Sequence, residues 1–350
     1  MAEKFLKDLI GNEVLGRPIL SPNYQVILPA GAVIRPEYVD KLKELGIQSV
    51  FIREEETDSE SKDILKAEVK KQMADKVKAV MERHTYQGND ELSALAAEAD
   101  AIIETILDEE QILDRMLDIK DRSTDVYEHS LNVCTLAILM SLKFGLKKTV
   151  VHDIGVGCLL HDLGLRYLTI SYEKQEVESL SQADQTEYKK HPIYGYSALK
   201  EESWMADISK KIVLCHHERL DGSGYPLRSA DIPFEIDIVN VCDTFDEMIS
   251  GIGHSAKKVF EALRYLKDNK GIKFRAEVID LFLQFVAAYP AGTLVKTNQG
   301  EMGIVISQNR DYPDRPTLRI LSDKYGRQIV KDTTKDLMQL PDVYIESVLS

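Results

Sequence analysis

Two adjacent histidines run directly into a glycine-rich turn in the stretch His216–Pro226, which reads HHERLDGSGYP. Neutral imidazole is a common nitrogen ligand for divalent metal ions. Gly222 and Gly224 permit backbone angles and close approaches that larger residues do not. This stretch therefore indicates a metal site beside a turn of phosphate size, provided that distant parts of the chain supply further ligands.

Further ligand-type residues lie next to apolar segments. His161 and Asp162 follow the apolar run 156–160, and Asp243 lies within the apolar segment 238–246, where an unpaired carboxylate would be costly. Five of the eight histidines belong to the pattern, and the predicted ligands are His129, His161, Asp162, His191, His216, His217 and Asp243. Seven nitrogen and oxygen ligands suffice for two divalent ions with positions left for water and substrate. A set without cysteine favours iron or manganese over structural zinc.

Two neighbouring features are excluded from the ligand set. The pair His152-Asp153 stands nine residues before His161-Asp162, so it faces the opposite side of a helix, and we predict that it caps a helix start. The four cysteines form no CxxC pair; we expect them to be buried thiols rather than ligands.

The elements that must position these ligands are predicted to be mainly helical. A helix from about Asp125 to Phe144 is apolar almost all round, as expected of a core helix that carries His129 into the interior. Residues 64–120 show helical periodicity, interrupted at 87–90. Residues 1–56 read as a small α+β unit, and a charged stretch at 54–63 follows it. Short alternating segments from 288 onward indicate a small β extension.

Composition narrows the functional classes. The 350 residues are 44% hydrophobic and 29% charged, which suits several globular domains. A net charge of −14 argues against binding to DNA or RNA polymers, because such binding needs a basic surface. The sequence shows no signal peptide and no run long enough for membrane insertion, so we expect a cytoplasmic protein.

The ordered motifs resemble the HD-GYP domain, a branch of the HD metal-dependent phosphohydrolases. The resemblance rests on His129, His161-Asp162, His191-Pro192, the stretch 216–226 with its Gly-Tyr-Pro, and the segment Asp243-Thr244-Phe245-Asp246. It implies an all-helical catalytic domain over residues 110–287. Residues 57–109 are the predicted helical linker and lead-in helices between residues 1–56 and this domain, and the β extension covers residues 288–350. The implied activity is hydrolysis of cyclic di-GMP to linear pGpG or GMP.

The same resemblance implies roles for individual residues. One metal would be held by His129, His161 and Asp243, and the other by His191, His216 and His217, with Asp162 bridging and a hydroxide between the metals attacking phosphorus. Asp162 and Asp246 are the predicted catalytic residues, and a third metal would involve Asp125. The predicted substrate-binding residues are Lys190, Arg219, Asp221, Ser223, Gly224 and Tyr225.

Two departures from the family pattern leave alternatives open. Leu165 stands where the family has a phosphate-binding lysine, a loss that Arg166 or Lys190 could compensate, and the segment 250–254 lacks the usual basic and aromatic residues. Hydrolysis of another cyclic dinucleotide or nucleotide is the first alternative. A catalytically weakened cyclic-dinucleotide receptor that signals through residues 1–56 is the second. A homodimer through the accessory regions is compatible with every version.

Overall fold

The structure, a computed structural model, describes residues 2–6, 9, 13–15, 18–20, 26–29, 32–45, 47, 49–53, 67–83, 93–108, 117, 119, 124–170, 172, 176–309, 312–329 and 333–349. The charged stretch at 54–63, the helical break at 87–90 and the domain boundaries at 56–57 and 109–110 lie outside these residues. The chain divides into two compact units, Met1–Glu60 and Ser61–Ser350.

The first unit is a small α+β fold, as expected from the sequence. Its elements are β1 (Ala2–Phe5), β2 (Val14–Leu15), β3 (Ile19–Leu20), β4 (Val26–Leu28), α1 (Pro36–Glu44) and β5 (Ser49–Arg53). Strand β5 lies between β1 and β2 in an antiparallel sheet, and β3 pairs with β4. Its buried side chains include Leu15, Ile34, Leu42 and Val50.

The second unit is mainly helical, which confirms the predicted fold class. Its helices are α2 (Ala67–Arg83), α3 (Ala94–Asp108), α4 (Val126–Lys143), α5 (Lys148–Leu160), α6 (Gln182–Tyr188), α7 (His191–Leu199), α8 (Asp207–Cys215), α9 (Phe234–Ser250), α10 (Val259–Asp268) and α11 (Ala276–Phe285). The lead-in helices pack onto the rest of the unit, α2 against α4 and α3 against α5. In the described part of the chain, no helix has both the length and the apolar character needed to cross a membrane.

Helix α4 forms the centre of the helical core. The Asp125 carboxylate starts it by accepting hydrogen bonds from the backbone amides of Tyr127 and Glu128. From His129 to Ser141 every residue is buried, because α4 packs against both α5 and α9. This packing brings His129, in the first turns of α4, towards Asp243 in the middle of α9.

Close contacts between backbones set the other ligand positions. A Cβ atom on Gly164 would lie 1.8 Å from the carbonyl oxygen of His191, so only glycine lets the short 3-10 helix Leu163–Tyr167 lie directly on the start of α7. A Cβ atom on Gly157 would lie 2.9 Å from the Ile212 side chain, where α5 packs against α8. The two glycines thus bring the ends of α5 and α8 and the beginning of α7 to one place.

The C-terminal extension is an antiparallel five-stranded sheet, as the alternating pattern predicts. Its strands are β6 (Leu294–Thr297), β7 (Met302–Ser307), β8 (Thr317–Ser322), β9 (Thr334–Asp336) and β10 (Ile345–Val348), in the order β10-β6-β7-β8-β9. Val295, Val305, Leu318 and Ile320 form its buried core.

Candidate metal centre

A first group of ligand atoms forms a nearly equilateral triangle. The Nε2 atoms of His129 and His161 lie 3.3 Å apart, and Asp243 Oδ1 lies 3.1 Å from the former and 3.4 Å from the latter. All three side chains are buried. Ligands at roughly 2.1 Å from one ion are separated by about these distances at tetrahedral or octahedral angles. The triangle therefore fits a single divalent ion.

A second group lies beside the first. His191 Nε2 and His216 Nε2 are 3.2 Å apart, and Asp162 Oδ1 is 3.4 Å from one and 3.7 Å from the other. His217 offers a further nitrogen to this group. The second group also has the dimensions of a metal site, with a histidine at the end of α8 and another at the beginning of α7.

Asp162 faces both groups. Its Oδ1 belongs to the second group, whereas its Oδ2 lies 3.5 Å from His161 Nε2 and 3.9 Å from His129 Nε2. A carboxylate that presents one oxygen to each site is suited to bridge two cations. The arrangement matches the bridging role that the family resemblance implies.

Hydrogen bonds on the outer side of three imidazole rings determine which ring nitrogen faces the other ligands. His161 Nδ1 donates to the carbonyl oxygen of Cys158 at 2.6 Å, His191 Nδ1 to that of Tyr188 at 2.9 Å, and His216 Nδ1 to that of Val213 at 3.0 Å. Because a neutral imidazole carries one proton, these bonds leave the Nε2 lone pairs facing each other across the gap. Facing lone pairs repel unless a cation lies between them. The donor set thus fits metal ions, and backbone carbonyls hold the ligands in place.

Burial keeps the three histidines of the second group neutral. Burial lowers the pKa of His216 to about 3, and burial likewise holds the pKa of His217 well below its usual value and lowers that of His191. These imidazoles therefore remain unprotonated at neutral pH. They are in the form that binds a metal.

In the first group, hydrogen bonds between histidine and carboxylate outweigh the effect of burial on the pKa values. Burial alone would lower the pKa of His129, but its hydrogen bonds to Asp243 and Asp246 outweigh burial and raise that pKa well above its usual value. Burial also acts to raise the pKa of Asp243, yet its bonds to His129 and His161 hold that pKa well below its usual range. Protons bound here are replaced when a cation enters, so metal binding at this group releases protons.

Asp246 forms a hydrogen bond with Nδ1 of His129, the ring nitrogen that faces away from the other ligands of the first group. Its Oδ2 lies 2.9 Å from His129 Nδ1 in the buried core. A carboxylate on the outer nitrogen of a ligand histidine orients the ring and raises its basicity. This contact favours a positioning role for Asp246 over the catalytic role predicted from the sequence.

The Gly-Tyr-Pro loop covers one side of the second group. A Cβ atom on Gly224 would lie 2.4 Å from the His217 carbonyl oxygen, so the loop approaches the ligand segment as closely as backbone allows. The Tyr225 ring stacks on the His217 ring with centroids 4.5 Å apart and planes 26° apart. Burial raises the pKa of Tyr225 well above its usual value, so its hydroxyl stays protonated. Gly224 and Tyr225 therefore lie beside the ligand pair 216–217, and substrate binding by these two residues stays a prediction.

Glu218 holds this loop in place. Its carboxylate, 1% exposed, accepts hydrogen bonds from the backbone amides of Leu227, Arg228 and Ser229 at 2.5, 3.1 and 2.9 Å. Asn240 of α9 donates to the Glu218 carbonyl oxygen at 2.8 Å. A buried carboxylate with three amide donors is a strong local restraint. Glu218 thus connects the ligand pair 216–217 to the segment after the Gly-Tyr-Pro turn.

Arg219 and Lys190, two cationic side chains predicted to bind substrate, make contacts within the protein instead. The Arg219 guanidinium donates to the carbonyl oxygens of His216 and Glu218 and to Thr244 Oγ1, and it lies over the Phe274 ring. Lys190 Nζ donates to Glu187 Oε2 at 2.8 Å. Arg219 therefore serves the packing of the ligand segment, and Lys190 is held on the surface at the start of α7.

The remaining predicted residues form hydrogen bonds outside the two ligand groups. Asp221 accepts a hydrogen bond from the Ser223 amide at 2.9 Å, and both residues are exposed on the loop. The Arg166 guanidinium donates to the Glu82 carbonyl oxygen at 2.6 Å, and Leu165 is 4% exposed. The position of the family lysine thus carries a buried apolar side chain, and Arg166 is bonded to the lead-in helix α2 instead.

Asp125 and the pair His152-Asp153 serve local structure. The Asp125 carboxylate caps α4, and it belongs to none of the potential metal-binding groups found among the described residues. The prediction that His152-Asp153 caps a helix is wrong. Helix α5 begins at Lys148, and His152 Nδ1 instead lies 2.8 Å from Asp100 Oδ1 of α3. The pair lies within the helix, because Lys147 precedes the first turn as its N-cap and Lys148 and Thr149 begin that turn.

Sequence reasoning missed Glu247 and Lys189. Glu247 lies one turn after Asp243 on α9, and its Oε1 is 3.9 Å from His217 Nε2. The spacing of four residues from a predicted ligand was a signal that could have identified it. Lys189 Nζ lies 5.8 Å from the centroid of the Tyr225 ring. Nothing in the sequence distinguishes Lys189 from Lys190 beside it.

Three of the four cysteines agree with the expectation of buried thiols, whereas Cys215 is only half-buried. Cys134, Cys158 and Cys242 are buried, and burial raises the pKa of each thiol. A thiol kept protonated is a poor metal ligand. Within the described residues, the candidate ligand groups contain only histidine, aspartate and glutamate.

Comparison with known proteins finds two domain families that match parts of this chain. The sequence profile described as HD domain matches residues 111–278, and the one described as KOW domain associated with HD domain matches residues 294–350. A protein named cyclic di-GMP phosphodiesterase PA4108 from Pseudomonas aeruginosa is 28% identical over 213 residues, which are 60% of this chain and 51% of that protein. A protein named cyclic di-GMP phosphodiesterase response regulator RpfG from Xanthomonas campestris pv. campestris is 30% identical over 176 residues, 49% of this chain and 46% of that protein.

The chain thus spans about half the length of the curated relatives that it matches. Among solved structures, Bd1817, an HDG"Y"P protein from Bdellovibrio bacteriovorus, is similar in fold. Its TM-score is 0.52 at 20% identity, over 79% of this chain and 96% of that one. Residues 111–278 of this chain thus match the HD domain family, and they carry the HD pair at residues 161–162 and the Gly-Tyr-Pro turn at 224–226.

Proposed function

We propose that this protein is a metal-dependent phosphodiesterase that hydrolyses cyclic di-GMP to linear pGpG, GMP or both. The observation that carries the proposal is the pair of ligand triangles joined by Asp162, which suits two divalent ions a few ångströms apart. When bound, two such ions lower the pKa of a shared water molecule and neutralise charge that develops on phosphate oxygens. Hydrolysis adds water across one P–O3′ bond of the cyclic substrate.

The residues of the chain divide the remaining tasks. His129, His161 and Asp243 would hold one ion, His191 and His216 the other with His217 beside them, and Asp162 would bridge the two. The donor set of imidazole and carboxylate without thiolate favours iron or manganese. Asp246 keeps the His129 ring oriented, and the carbonyl oxygens of Cys158, Tyr188 and Val213 do the same for the other rings.

The loop beside the ions would bind the nucleotide. Tyr225 presents an aromatic ring next to His217, and an aromatic face of this kind can stack on a purine base. Its hydroxyl, which stays protonated, can donate a hydrogen bond to a phosphate oxygen. Asp221 and Ser223, which are exposed on the loop, would contact the outer parts of the substrate.

A second candidate is hydrolysis of a different cyclic dinucleotide. The observation that favours it is Leu165, whose side chain is buried where the family carries a cation for the substrate phosphate. A receptor without turnover is less favoured, because a binding protein has no need of two complete ligand triangles. The cytoplasmic location and a homodimer through the accessory regions both stay predictions.

A substrate panel tests the assignment. The manganese-loaded chain is incubated with cyclic di-GMP, cyclic di-AMP and 3′3′-cyclic GMP-AMP, and the products are identified by mass spectrometry. We expect the highest kcat/KM for cyclic di-GMP, with pGpG as the first product. A higher kcat/KM for another cyclic dinucleotide would establish the second candidate, and tight binding of a dinucleotide by the metal-loaded chain without any product would establish the receptor.

A further inference from the structure

Glu247 is a carboxylate at the edge of the metal centre that belongs to neither of the two ligand groups. It lies one helical turn after Asp243 on α9, and its side chain is 18% exposed. Its Oε1 lies 3.9 Å from His217 Nε2, which exceeds the hydrogen-bond range of about 3.2 Å. Glu247 thus lies next to a ligand histidine without forming a hydrogen bond to it.

No basic side chain pairs with Glu247. In the described part of the chain, no lysine or arginine forms an ion pair with its carboxylate, and no protein group donates a hydrogen bond to it. Asp243 adds a second negative charge four residues earlier on the same helix, and two such carboxylates repel each other. A largely buried carboxylate in this position is unfavourable unless a bound molecule offers it a hydrogen-bond donor.

A cyclic dinucleotide offers few donors near its scissile bond. The phosphate oxygens only accept hydrogen bonds, and their charge repels a carboxylate. The nearest donor is the 2′-hydroxyl of the ribose whose O3′ is released, because C2′ and C3′ of that ring are bonded to each other. The N–H groups of the bases lie farther from the phosphorus. A carboxylate next to a metal-ligand histidine is therefore better placed for the ribose hydroxyl than for a base.

Tyr225 indicates where this ribose would lie. The Tyr225 ring stacks on the face of His217 with centroids 4.5 Å apart, whereas Glu247 lies beside Nε2 at the edge of the same imidazole. The two side chains thus contact different sides of His217. A nucleotide with its base on Tyr225 and its phosphate at the ligand groups would bring the connecting ribose close to His217 and Glu247.

We propose that Glu247 accepts a hydrogen bond from the 2′-hydroxyl next to the scissile P–O3′ bond, so that the protein selects cyclic ribodinucleotides over substrates without this hydroxyl. Glu247 is then a specificity-determining residue. The inference rests on the proposed function, because it needs a cyclic dinucleotide at the two ligand groups, but it does not depend on which bases that dinucleotide carries. A site that binds a substrate hydroxyl discriminates against an analogue that lacks it, because the protein acceptor then stays unpaired.

The test compares cyclic di-GMP and cyclic di-AMP, each with its bis(2′-deoxy) analogue. The ratio of kcat/KM between the two members of a pair is measured for the manganese-loaded full chain as wild type, Glu247→Ala, Glu247→Gln and Glu235→Gln. Glu235 is the matched control, since it is a glutamate in the first turn of the same helix. Because each ratio is taken within one protein, a general loss of activity in a variant cancels.

We expect the wild type and the control to prefer the ribose substrate by about 10- to 100-fold, as a hydrogen bond to a charged group implies. Glu247→Ala should reduce this preference to about twofold, because it removes the acceptor. Glu247→Gln keeps an uncharged acceptor oxygen, so its preference should lie between those of the wild type and Glu247→Ala.

Three results would overturn the proposal. They are a wild type that cleaves both members of a pair equally well, a Glu247→Ala chain with the wild-type preference, and a Glu247→Gln chain that loses bound Mn²⁺, which would assign the carboxylate to an ion. The expected ratios for cyclic di-AMP alone would contradict the proposed substrate and support this inference. A manganese-loaded wild type that cleaves bis(p-nitrophenyl) phosphate but no cyclic dinucleotide would contradict both.

Discussion

His191 Nε2 and His216 Nε2 face each other at 3.2 Å, while the Nδ1 atom of each ring donates to a backbone carbonyl oxygen. Two neutral acceptors at this distance repel, so the protein core holds the rings in an arrangement that only a shared cation makes favourable. Packing around Gly164 and at the end of α8 maintains the arrangement. Packing of the folded protein therefore holds these ligands together, and a bound ion would make their arrangement favourable.

Loss of the Glu218 carboxylate should weaken substrate binding. Glu218→Gln leaves one acceptor oxygen and turns an amide group towards backbone donors, so the loop that carries Tyr225 loses charge-assisted bonds worth about 1.5 to 3 kcal/mol each. We expect KM to rise by about 10- to 100-fold with kcat less affected and metal content unchanged. Steady-state kinetics measures KM and kcat of the variant, with Glu235→Gln, a change at a glutamate in the first turn of α9, as the control. An unchanged KM would show that Glu218 does not position the loop.

Asp246 should influence metal affinity through His129. Asp246→Asn keeps a polar group beside His129 Nδ1 but removes the charge that raises ring basicity, and we expect the affinity of the first ion to fall by about 10- to 100-fold. Asp246→Ala should lose more, because it also removes the hydrogen bond. Calorimetric titration with Mn²⁺ measures both. Equal affinities for the wild type and both variants would contradict the positioning role.

Lys189 should contribute to substrate binding, whereas its neighbour should not. Lys189 Nζ lies over the Tyr225 ring, and Lys190 is paired with Glu187. One partly screened charge near a phosphate is worth about 1 kcal/mol, so Lys189→Met should raise KM about fivefold, and less at high salt. Lys190→Met is the matched comparison, with KM expected within about twofold of wild type. The reverse order of effects would assign the phosphate contact to Lys190.

Asp237 should make the stability of metal-free protein depend on pH. Burial raises the pKa of its carboxyl to about 6, despite the hydrogen bond that it accepts from the Arg275 backbone amide. The pKa in the unfolded chain is about 3.9. The folded state therefore binds the proton more tightly, and the contribution of Asp237 to stability is present below pH 4 and lost as pH rises through 6.

Asp237→Asn removes this titration and keeps an acceptor for Arg275. Relative to wild type, the variant should gain about 1 to 3 kcal/mol of unfolding free energy between pH 4 and pH 8. Urea unfolding of both proteins in the presence of a chelator measures the difference. A difference that does not vary with pH would mean that Asp237 titrates normally.

Sequence patterns identified the elements and the main ligands for physical reasons. The segment that forms α4 is apolar almost all round, which predicts a core helix, and a histidine or carboxylate inside such a segment requires a partner. The β extension follows from two-residue alternation. These signals are local, so one sequence carries them.

Contacts between side chains and backbone groups that form only in the folded chain leave no such signal. Arg219 was predicted to contact substrate, but its guanidinium donates to the carbonyl oxygens of His216 and Glu218. The three amides bound by Glu218 come together only after the Gly-Tyr-Pro turn has folded. Glu247 is the exception, because its spacing from Asp243 already placed both carboxylates on one helix face.

The most direct test of the metal-dependent mechanism is the rate of cyclic di-GMP cleavage by the manganese-loaded wild type and by Asp162→Asn, with products followed by mass spectrometry. Asp162 is the residue that joins the two ligand triangles, so its loss should reduce kcat at least 1,000-fold, equivalent to about 4 kcal/mol of transition-state stabilisation. We predict pGpG from the wild type and almost none from the variant. Comparable rates for the two proteins, or no product from a wild type that holds both ions, would contradict the account.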